Sequence, residues 1–268
     1  MRFIYSLLFI FLISATSCEE VVTLDLNTVD PMNVVDAFIT EGSPCVVLLT
    51  KSQAFYSSEP FEHIPGATIE LRSSGGESEI LQESINEPGL YLSSMFGVVG
   101  ETYYIKISTG DDIYEASATI PEAVPINEVY IYEIKAGDKS WFSPSIVFDD
   151  PPGVTNYYYT LLYVNDKLMS SFYLNDDENR DGLQTHRILF FDKEDNDDED
   201  LNAGDRLRVE MQSLDVGMYT FYKSLRSVAE GSNPTTNLSG GALGCFKAYN
   251  TSYGSAVVSS DIIYNGEK

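Results

Sequence analysis

The residues whose types and spacing best suit chemistry are three oxygen-bearing side chains in one short segment, Asp177, Asn179 and Asp181, followed by Gly182. Aspartate, asparagine and aspartate at alternate positions, closed by glycine, form the first half of a calcium-binding loop. The spacing lets three oxygens converge on one cation while the glycine makes a sharp turn. Ile188 stands where the twelfth-position glutamate belongs, so a complete site needs other ligands. The segment predicts either a calcium site or a polar hairpin loop rich in turn formers.

A dense run of acidic residues, 192–200, follows closely and is a possible source of further ligands. Such a run is usually a solvated, mobile loop, although it can also face a cationic partner. The whole chain has 268 residues and a formal net charge of −25, from 16 Lys and Arg against 41 Asp and Glu. A nucleic-acid partner is therefore not expected, because phosphate binding needs a basic surface.

Motifs of catalysis are missing from the sequence, and we predict that the protein is not an enzyme. The two histidines, His63 and His186, belong to no metalloprotease or hydrolase motif, and each is interpreted as a surface or edge residue. The glycines Gly240, Gly241 and Gly244 do not open a helix after a strand, so they do not predict a phosphate-binding loop. They are better explained by close backbone packing or positive φ angles. No cofactor other than calcium is expected.

The N-terminus has the pattern of a secretory signal. Arg2 precedes an apolar run, Phe3–Ile13, and small residues lead to Cys18. The run is too short to span a bilayer comfortably. A cysteine directly after the small residues is typical of a bacterial lipoprotein signal, in which Cys18 is acylated, palmitate included, and becomes the first mature residue. An ordinary cleaved signal that happens to precede a cysteine is the alternative.

The elements that must position these residues are mostly strands. Residues 18–32 are interpreted as a lipidated tether and a first strand, and short strands separated by turns over 33–121 predict an Ig-like β-sandwich domain. Two prolines in 121–125 mark a boundary. Residues 122–268 predict a second β-rich domain with one amphipathic helix near 215–230, capped by Asp215.

Two other residue classes leave alternatives open. Cys45 and Cys245 lie in apolar stretches and are predicted to be buried and free, although a disulfide is compatible with an exported protein. Aromatic residues are plentiful, and Tyr157, Tyr158 and Tyr159 place rings on both faces of one strand. Such rings suit either a sugar-binding surface or ordinary sheet packing.

Several segments together resemble a family of Bacteroidota outer-membrane lipoproteins of unknown function. The resemblance runs nearly from end to end. It rests on Cys18–Leu26, LLTKSQAFY (Leu48–Tyr56), IPGATIEL (Ile64–Leu71), EPGLYLS (Glu87–Ser93), GETYYIKI (Gly100–Ile107), YEASATIPEAVPI (Tyr114–Ile126), DDPPGVTNYYYTL (Asp149–Leu161) and TNLSGGALGCFKAY (Thr236–Tyr249).

The resemblance implies a role but supplies no catalytic residue. Such lipoproteins are often encoded beside TonB-dependent receptors, which implies an accessory protein held at the outer membrane by its lipid, on the periplasmic face or the cell surface. It would act by protein–protein contact in nutrient uptake or envelope assembly. Gly97–Ile107 also resembles carboxypeptidase-regulatory-like sandwich repeats. A surface module that binds a glycan or another ligand, stabilised by calcium, is the alternative.

Overall fold

The computed structural model describes residues 30–54, 57–225, 228 and 231–264. Cys18 and the signal segment lie outside them. The first half of the described chain consists of strands connected by short turns. These are β1 (Asn33–Thr40), β2 (Pro44–Lys51), β3 (Thr68–Ser73), β4 (Ser78–Ile80), β5 (Gln82–Glu83), β6 (Leu90–Phe96), β7 (Thr102–Thr109) and β8 (Asp112–Thr119).

The second half contains eight further strands and an α-helix. They are β9 (Glu128–Ala136), β10 (Lys139–Asp149), β11 (Tyr157–Val164), β12 (Lys167–Asp176), β13 (Gln184–Ile188), β14 (Arg206–Leu214), α1 (Val216–Ser224), β15 (Leu243–Val257) and β16 (Ile263–Tyr264). Short 3-10 helices cover Lys193–Asn196 and Ser260–Ile262. The predicted mostly β fold with one helix is confirmed.

One eight-stranded sheet connects the two halves. Its order is β12-β11-β14-β15-β1-β2-β6-β5, and two four-stranded sheets have the orders β4-β3-β7-β8 and β13-β10-β9-β16. The connection depends on β15, which pairs in parallel with β1 and antiparallel with β14. The proposed division at residues 121 and 122 stays a prediction, and this sheet continues across it.

Two hydrophobic cores lie against different parts of the long sheet. The first joins β1, β2 and β6 to β3 and β7, and Phe246 and Ala248 of β15 complete it. The second joins β11 and β14 to β9 and β10 through residues such as Phe148 and Leu162. Alternating burial along β11 is the expected signature of a strand with one face on a core.

The helix begins where the sequence predicts. Asp215 is its N-cap, and its two carboxylate oxygens accept hydrogen bonds from the backbone N–H groups of Met218 (3.0 Å) and Gly217 (3.3 Å). The helix ends at Ser224, before the predicted end near residue 230, and residues 226, 227, 229 and 230 lie outside the described part. Met218 and Tyr219 are buried in a small third cluster that packs this helix on the long sheet.

Candidate binding sites around the loop from Asp177 to Gly182

The loop from Asp177 to Gly182 links β12 of the long sheet to β13 of the sheet that covers the second core. Its backbone is held by turns: the Arg180 N–H donates to the Asp177 carbonyl at 2.6 Å, and the Leu183 N–H donates to the Arg180 carbonyl at 2.9 Å. Gly182 has a φ of 68° and a Cβ there would lie 2.8 Å from Pro152, so glycine suits this position. The loop is therefore fixed between two sheets.

Three carboxylates converge on one side of this loop, and we call them the acidic cluster: Asp150, Asp177 and Asp181. One ligand oxygen of each lies within 4.8 Å of the other two. Asp150 is 4% exposed and Asp177 is 6% exposed, whereas Asp181 is exposed to solvent. Carboxylate oxygens at this spacing are ligands of the type that calcium prefers.

Hydrogen bonds from neighbouring residues fix the three carboxylates. The Tyr158 hydroxyl donates to Asp150 Oδ1 at 2.5 Å, and the Gly182 N–H donates to Asp150 Oδ2 at 3.2 Å. The Asn156 N–H donates to Asp177 Oδ2 at 2.8 Å. The Gly153 N–H donates to Asp181 Oδ1 at 2.7 Å. These hydrogen bonds fix the orientation of each carboxylate.

The structure brings together only part of the predicted ligand set. Asp177 and Asp181 join the acidic cluster, but Asn179 lines a different pocket, and Asp150 from the end of β10 supplies the third carboxylate. The predicted site uses one chain segment that surrounds the cation. In the structure the loop instead contacts a second segment, because Asp181 accepts the Gly153 N–H and Asp150 accepts the Gly182 N–H. An acidic pair at the end of β10, Asp149 and Asp150, is the sequence signal for the missing residue. Calcium binding itself stays a prediction.

Arg187 offsets only part of the negative charge of the cluster, through its electrostatic interaction with Asp150. Among the described residues, no cationic side chain lies within 4.0 Å of the cluster's three carboxylates. Burial, together with the Asp150 carboxylate, raises the pKa of Tyr158 far above its usual value. Asn156 Oδ1 is buried and has no hydrogen-bond partner in the described part of the chain. The surroundings therefore contain negative charge and a free acceptor, which together favour a cation.

The loop also borders a polar pocket of about 310 Å³, which we call the two-arginine pocket. It is lined by Leu174, Asn175, Asp176, Asn179, Arg180, Arg187 and Tyr219. Arg187 Nη2 donates to the Asp176 carbonyl at 3.4 Å, and the Tyr219 hydroxyl donates to Asp176 Oδ2 at 2.6 Å. That hydrogen bond from Tyr219 is the main reason why the pKa of Asp176 is lowered. The sequence pattern did not indicate this pocket.

A third feature is a groove of about 850 Å³ lined by aromatic and charged side chains, which we call the aromatic groove. It is lined by Ser140, Trp141, Phe142, Ser171, Phe190, Phe191, Asp192, Lys193, Asp200 and Leu201. Trp141 is 50% exposed, Phe142 42% and Phe190 64%. Large rings this accessible and this close together are typical of binding surfaces.

The acidic run at 192–200 forms one wall of the aromatic groove and is partly fixed. Asp192 caps the 3-10 helix Lys193–Asn196 by accepting the Glu194 N–H at 3.0 Å. Asp195 Oδ2 accepts the N–H of Ser170 at 3.1 Å and its hydroxyl at 2.5 Å. The run is therefore attached to β12, and its side chains remain largely exposed.

The tyrosines that suggested a sugar surface are used in packing. Tyr158 is buried in the second core, 4.9 Å from the ring of Phe148. Tyr157 stacks on Tyr219 at 4.3 Å, and Tyr159 stacks on Tyr222 of the helix at 4.7 Å. Of the two explanations, sheet and helix packing accounts for these rings.

The remaining candidates are structural. Cys45 and Cys245 are free and buried, as predicted, and burial raises the pKa of each thiol to about 12. His63 Nδ1 lies 2.6 Å from the Pro88 carbonyl. His186 is an exposed residue in the edge strand β13, with Nδ1 3.4 Å from the Tyr130 hydroxyl.

Within the described residues, no helix is long and apolar enough to cross a membrane. No curated protein matches the chain. Among solved structures, it is similar to a DUF4785 family protein from Legionella pneumophila, with 8% identity and a TM-score of 0.26 over 68% of this chain. That match spans 52% of the other chain, about half its length, and a TM-score of 0.26 is too low to indicate a shared fold. A family model, by contrast, matches residues 19–254. The chain belongs to that family, which is described as a domain of unknown function, DUF4249.

Proposed function

We propose that the mature protein is a lipid-anchored outer-membrane accessory protein that acts by protein–protein contact, as the partner of a TonB-dependent receptor in nutrient uptake or envelope assembly. The observation that carries the proposal is the signal pattern that ends in Cys18. It supplies an export signal and a lipid attachment point, and several acyl chains on one cysteine give a stable anchor. The resemblance to Bacteroidota lipoproteins supports the outer-membrane location and the choice of a TonB-dependent receptor as the partner.

The aromatic groove is the surface that best suits such a partner. Protein interfaces are enriched in Trp and Phe at their centres, and a few buried rings supply most of the binding energy. In this proposal Trp141, Phe142 and Phe190 supply the centre, and three charged residues line the same groove, Asp192, Lys193 and Asp200. The net charge of −25 favours a partner whose contact surface is basic, because complementary charge accelerates and orients association. The expected occupant is a basic surface of an outer-membrane protein.

The anchor is tested by replacing its attachment point. We expect wild-type protein to incorporate labelled palmitate and to fractionate with outer membranes, and the Cys18→Ser variant to lose both properties. Retention of a membrane-bound, palmitate-labelled Cys18→Ser protein would contradict the anchor.

The contact is tested by affinity purification of the tagged lipoprotein from gently solubilised outer membranes, with mass spectrometry of the recovered proteins. We expect a stoichiometric TonB-dependent receptor with wild type, and its loss with Trp141→Ala combined with Phe190→Ala. The matched control is Phe61→Ala combined with Phe96→Ala, since those two rings are each 58% exposed and lie outside the groove. Recovery of the lipoprotein alone would overturn the proposal.

The second candidate is a surface module that binds a glycan or another ligand and is stabilised by calcium. The acidic cluster favours it, because a cation that binds only the folded state raises apparent stability. A calcium-dependent rise in melting temperature that Asp177→Asn abolishes, together with glycan-array binding that Trp141→Ala abolishes, would support this candidate. Melting that is insensitive to calcium and a blank array would eliminate it.

A further inference from the structure

The cationic side chains of the two-arginine pocket lack the partners that other arginines of this chain have. Arg72, Arg206 and Arg208 each lie within 4.0 Å of a carboxylate oxygen. Among the described residues, neither Arg180 nor Arg187 has such a partner, although the chain contains 41 acidic residues. Among the described arginines, Arg180 and Arg187 therefore differ from the other three in having no ion pair within 4.0 Å.

Arg187 is held in place with part of its hydrogen-bonding capacity unused. It lies on β13 opposite Ile146 of β10, so its backbone is fixed by a sheet. Its Nη2 donates to the Asp176 carbonyl, but its Nε is buried and has no partner in the described part of the chain. An unsatisfied buried donor is rare in folded proteins, and a bound ligand that accepts its hydrogen bond is one explanation for it.

Charge around Arg187 leads to the same expectation. Its pKa is lowered by burial and by the neighbouring Arg180, although Asp176 and Asp150 oppose the shift. The pocket lining contains two guanidinium groups and one carboxylate, Asp176, which already accepts the Tyr219 hydroxyl. An anion at the guanidinium groups would offset their mutual repulsion and the cost of burying Arg187.

We infer that the two-arginine pocket binds an oxyanion, a carboxylate or a phosphate group, of a small ligand, with Arg180 and Arg187 as its cationic partners. A guanidinium offers parallel N–H donors that match two oxygens of a carboxylate or phosphate. Asn175 and Asn179 supply amide groups around the same space, which at about 310 Å³ accommodates one small charged group. The inference goes beyond the proposed contact function, because it uses neither the lipid anchor nor the aromatic groove.

A purely structural role for Arg187 would be to neutralise the nearby Asp150 and Asp176. Arg180 separates the two roles, because it is exposed and none of the hydrogen bonds or ion pairs of the described residues involves its side chain. Arg180→Gln should leave the fold intact and still weaken the binding of an anion. The matched control is Arg206→Gln. Arg206 is also exposed, but it lies outside the two-arginine pocket and forms a surface ion pair with Asp166.

The experiment is calorimetric titration of inorganic phosphate and of D-glucuronate into the full chain at constant ionic strength. We expect saturable binding of at least one of them, weakened about tenfold or more by Arg180→Gln and by Arg187→Lys, and unchanged by Arg206→Gln. Binding of phosphate alone identifies a phosphorylated ligand, and binding of glucuronate alone identifies an acidic sugar or another carboxylate. Absence of saturable binding of both, or equal binding by Arg180→Gln and Arg206→Gln, would overturn the inference.

Discussion

The junction of β1 with β15 and the loop between β12 and β13 differ in how closely they pack and in their buried polar atoms. At the junction the backbones pack so closely that a Cβ on Gly244 would lie 2.0 Å from the Val35 carbonyl oxygen. At the loop, polar atoms are buried without partners. Of three such atoms in the described residues, two belong to residues that contact or closely follow this loop, Asn156 Oδ1 and Arg187 Nε. The third, Asn33 Oδ1, belongs to the first residue of β1.

The difference separates a framework from a binding region. Close packing contributes stability, whereas an unpartnered buried polar atom costs about 1–3 kcal/mol. A protein tolerates that cost where a ligand removes it. Three sets of substitutions and one labelling experiment test this comparison, from the largest expected effect to the smallest.

The junction should be the least tolerant position. Gly244→Ala places a Cβ against the Val35 carbonyl at a φ of 98°, so we expect a loss of roughly 3–5 kcal/mol in the free energy of unfolding. Gly241→Ala has a similar φ of 88° and open space around its Cβ, so it should cost about 1 kcal/mol. Urea unfolding measures both, and equal losses would show that the close packing does not matter.

The hydrogen bond between Tyr158 and Asp150 joins the second core to the acidic cluster. Tyr158→Phe removes the hydroxyl and leaves a buried carboxylate oxygen without a donor, so we expect a loss of about 1–3 kcal/mol. Combination with Asp150→Asn gives a double-mutant cycle. A coupling energy of zero would contradict a direct interaction between the two side chains.

The helix cap is an intermediate case, a half-buried charge whose hydrogen bonds are satisfied. Asp215→Ala should cost about 1 kcal/mol, and Asp215→Asn should keep the cap. Burial raises the pKa of Asp215 from 3.8 to about 6, so the folded protein binds this proton more tightly than the unfolded chain does. The stability of wild type relative to Asp215→Asn should therefore fall as the pH rises from 4 to 7. Unfolding curves at several pH values measure this, and a difference that rises with pH would refute it.

The buried cysteines should show the smallest effect. Cys45 and Cys245 lie on the sheet strands that meet β1, and burial raises both thiol pKa values to about 12. Since the thiolate is the reactive form, we expect no iodoacetamide labelling of either residue at pH 8 until the protein unfolds. Rapid labelling of the native protein would show that the framework opens locally.

Local patterns in the sequence predicted the local parts of the structure. Alternating apolar residues identified most strands before residue 121, and Asp215 identified the start of the helix. No local pattern predicts the length of β15, because Gly244, Gly254 and the polar residues 250–252 interrupt its alternation. β15 pairs with β1 although the paired residues are about 200 positions apart in the chain, and no local pattern encodes such pairing.

The candidate sites were predictable to the same limited extent. Asp177 and Asp181 are two residues of one loop, and their spacing identified them. Asp150 joins them only because β10 and β13 pair. The position of Arg187 at the two-arginine pocket and the grouping of Trp141 with Phe190 likewise depend on the fold, since each brings together residues from separate segments of the chain.

We propose that the protein acts by contact through the aromatic groove and that the junction of β1 with β15 serves as its framework. Hydrogen–deuterium exchange of the lipoprotein, compared between gently solubilised outer membranes and the isolated protein, tests it most directly. We predict slower exchange in the membrane sample for peptides from residues 139–149 and 184–201, and unchanged exchange for peptides from residues 33–51. Identical exchange in both samples, or protection confined to residues 33–121, would contradict the account.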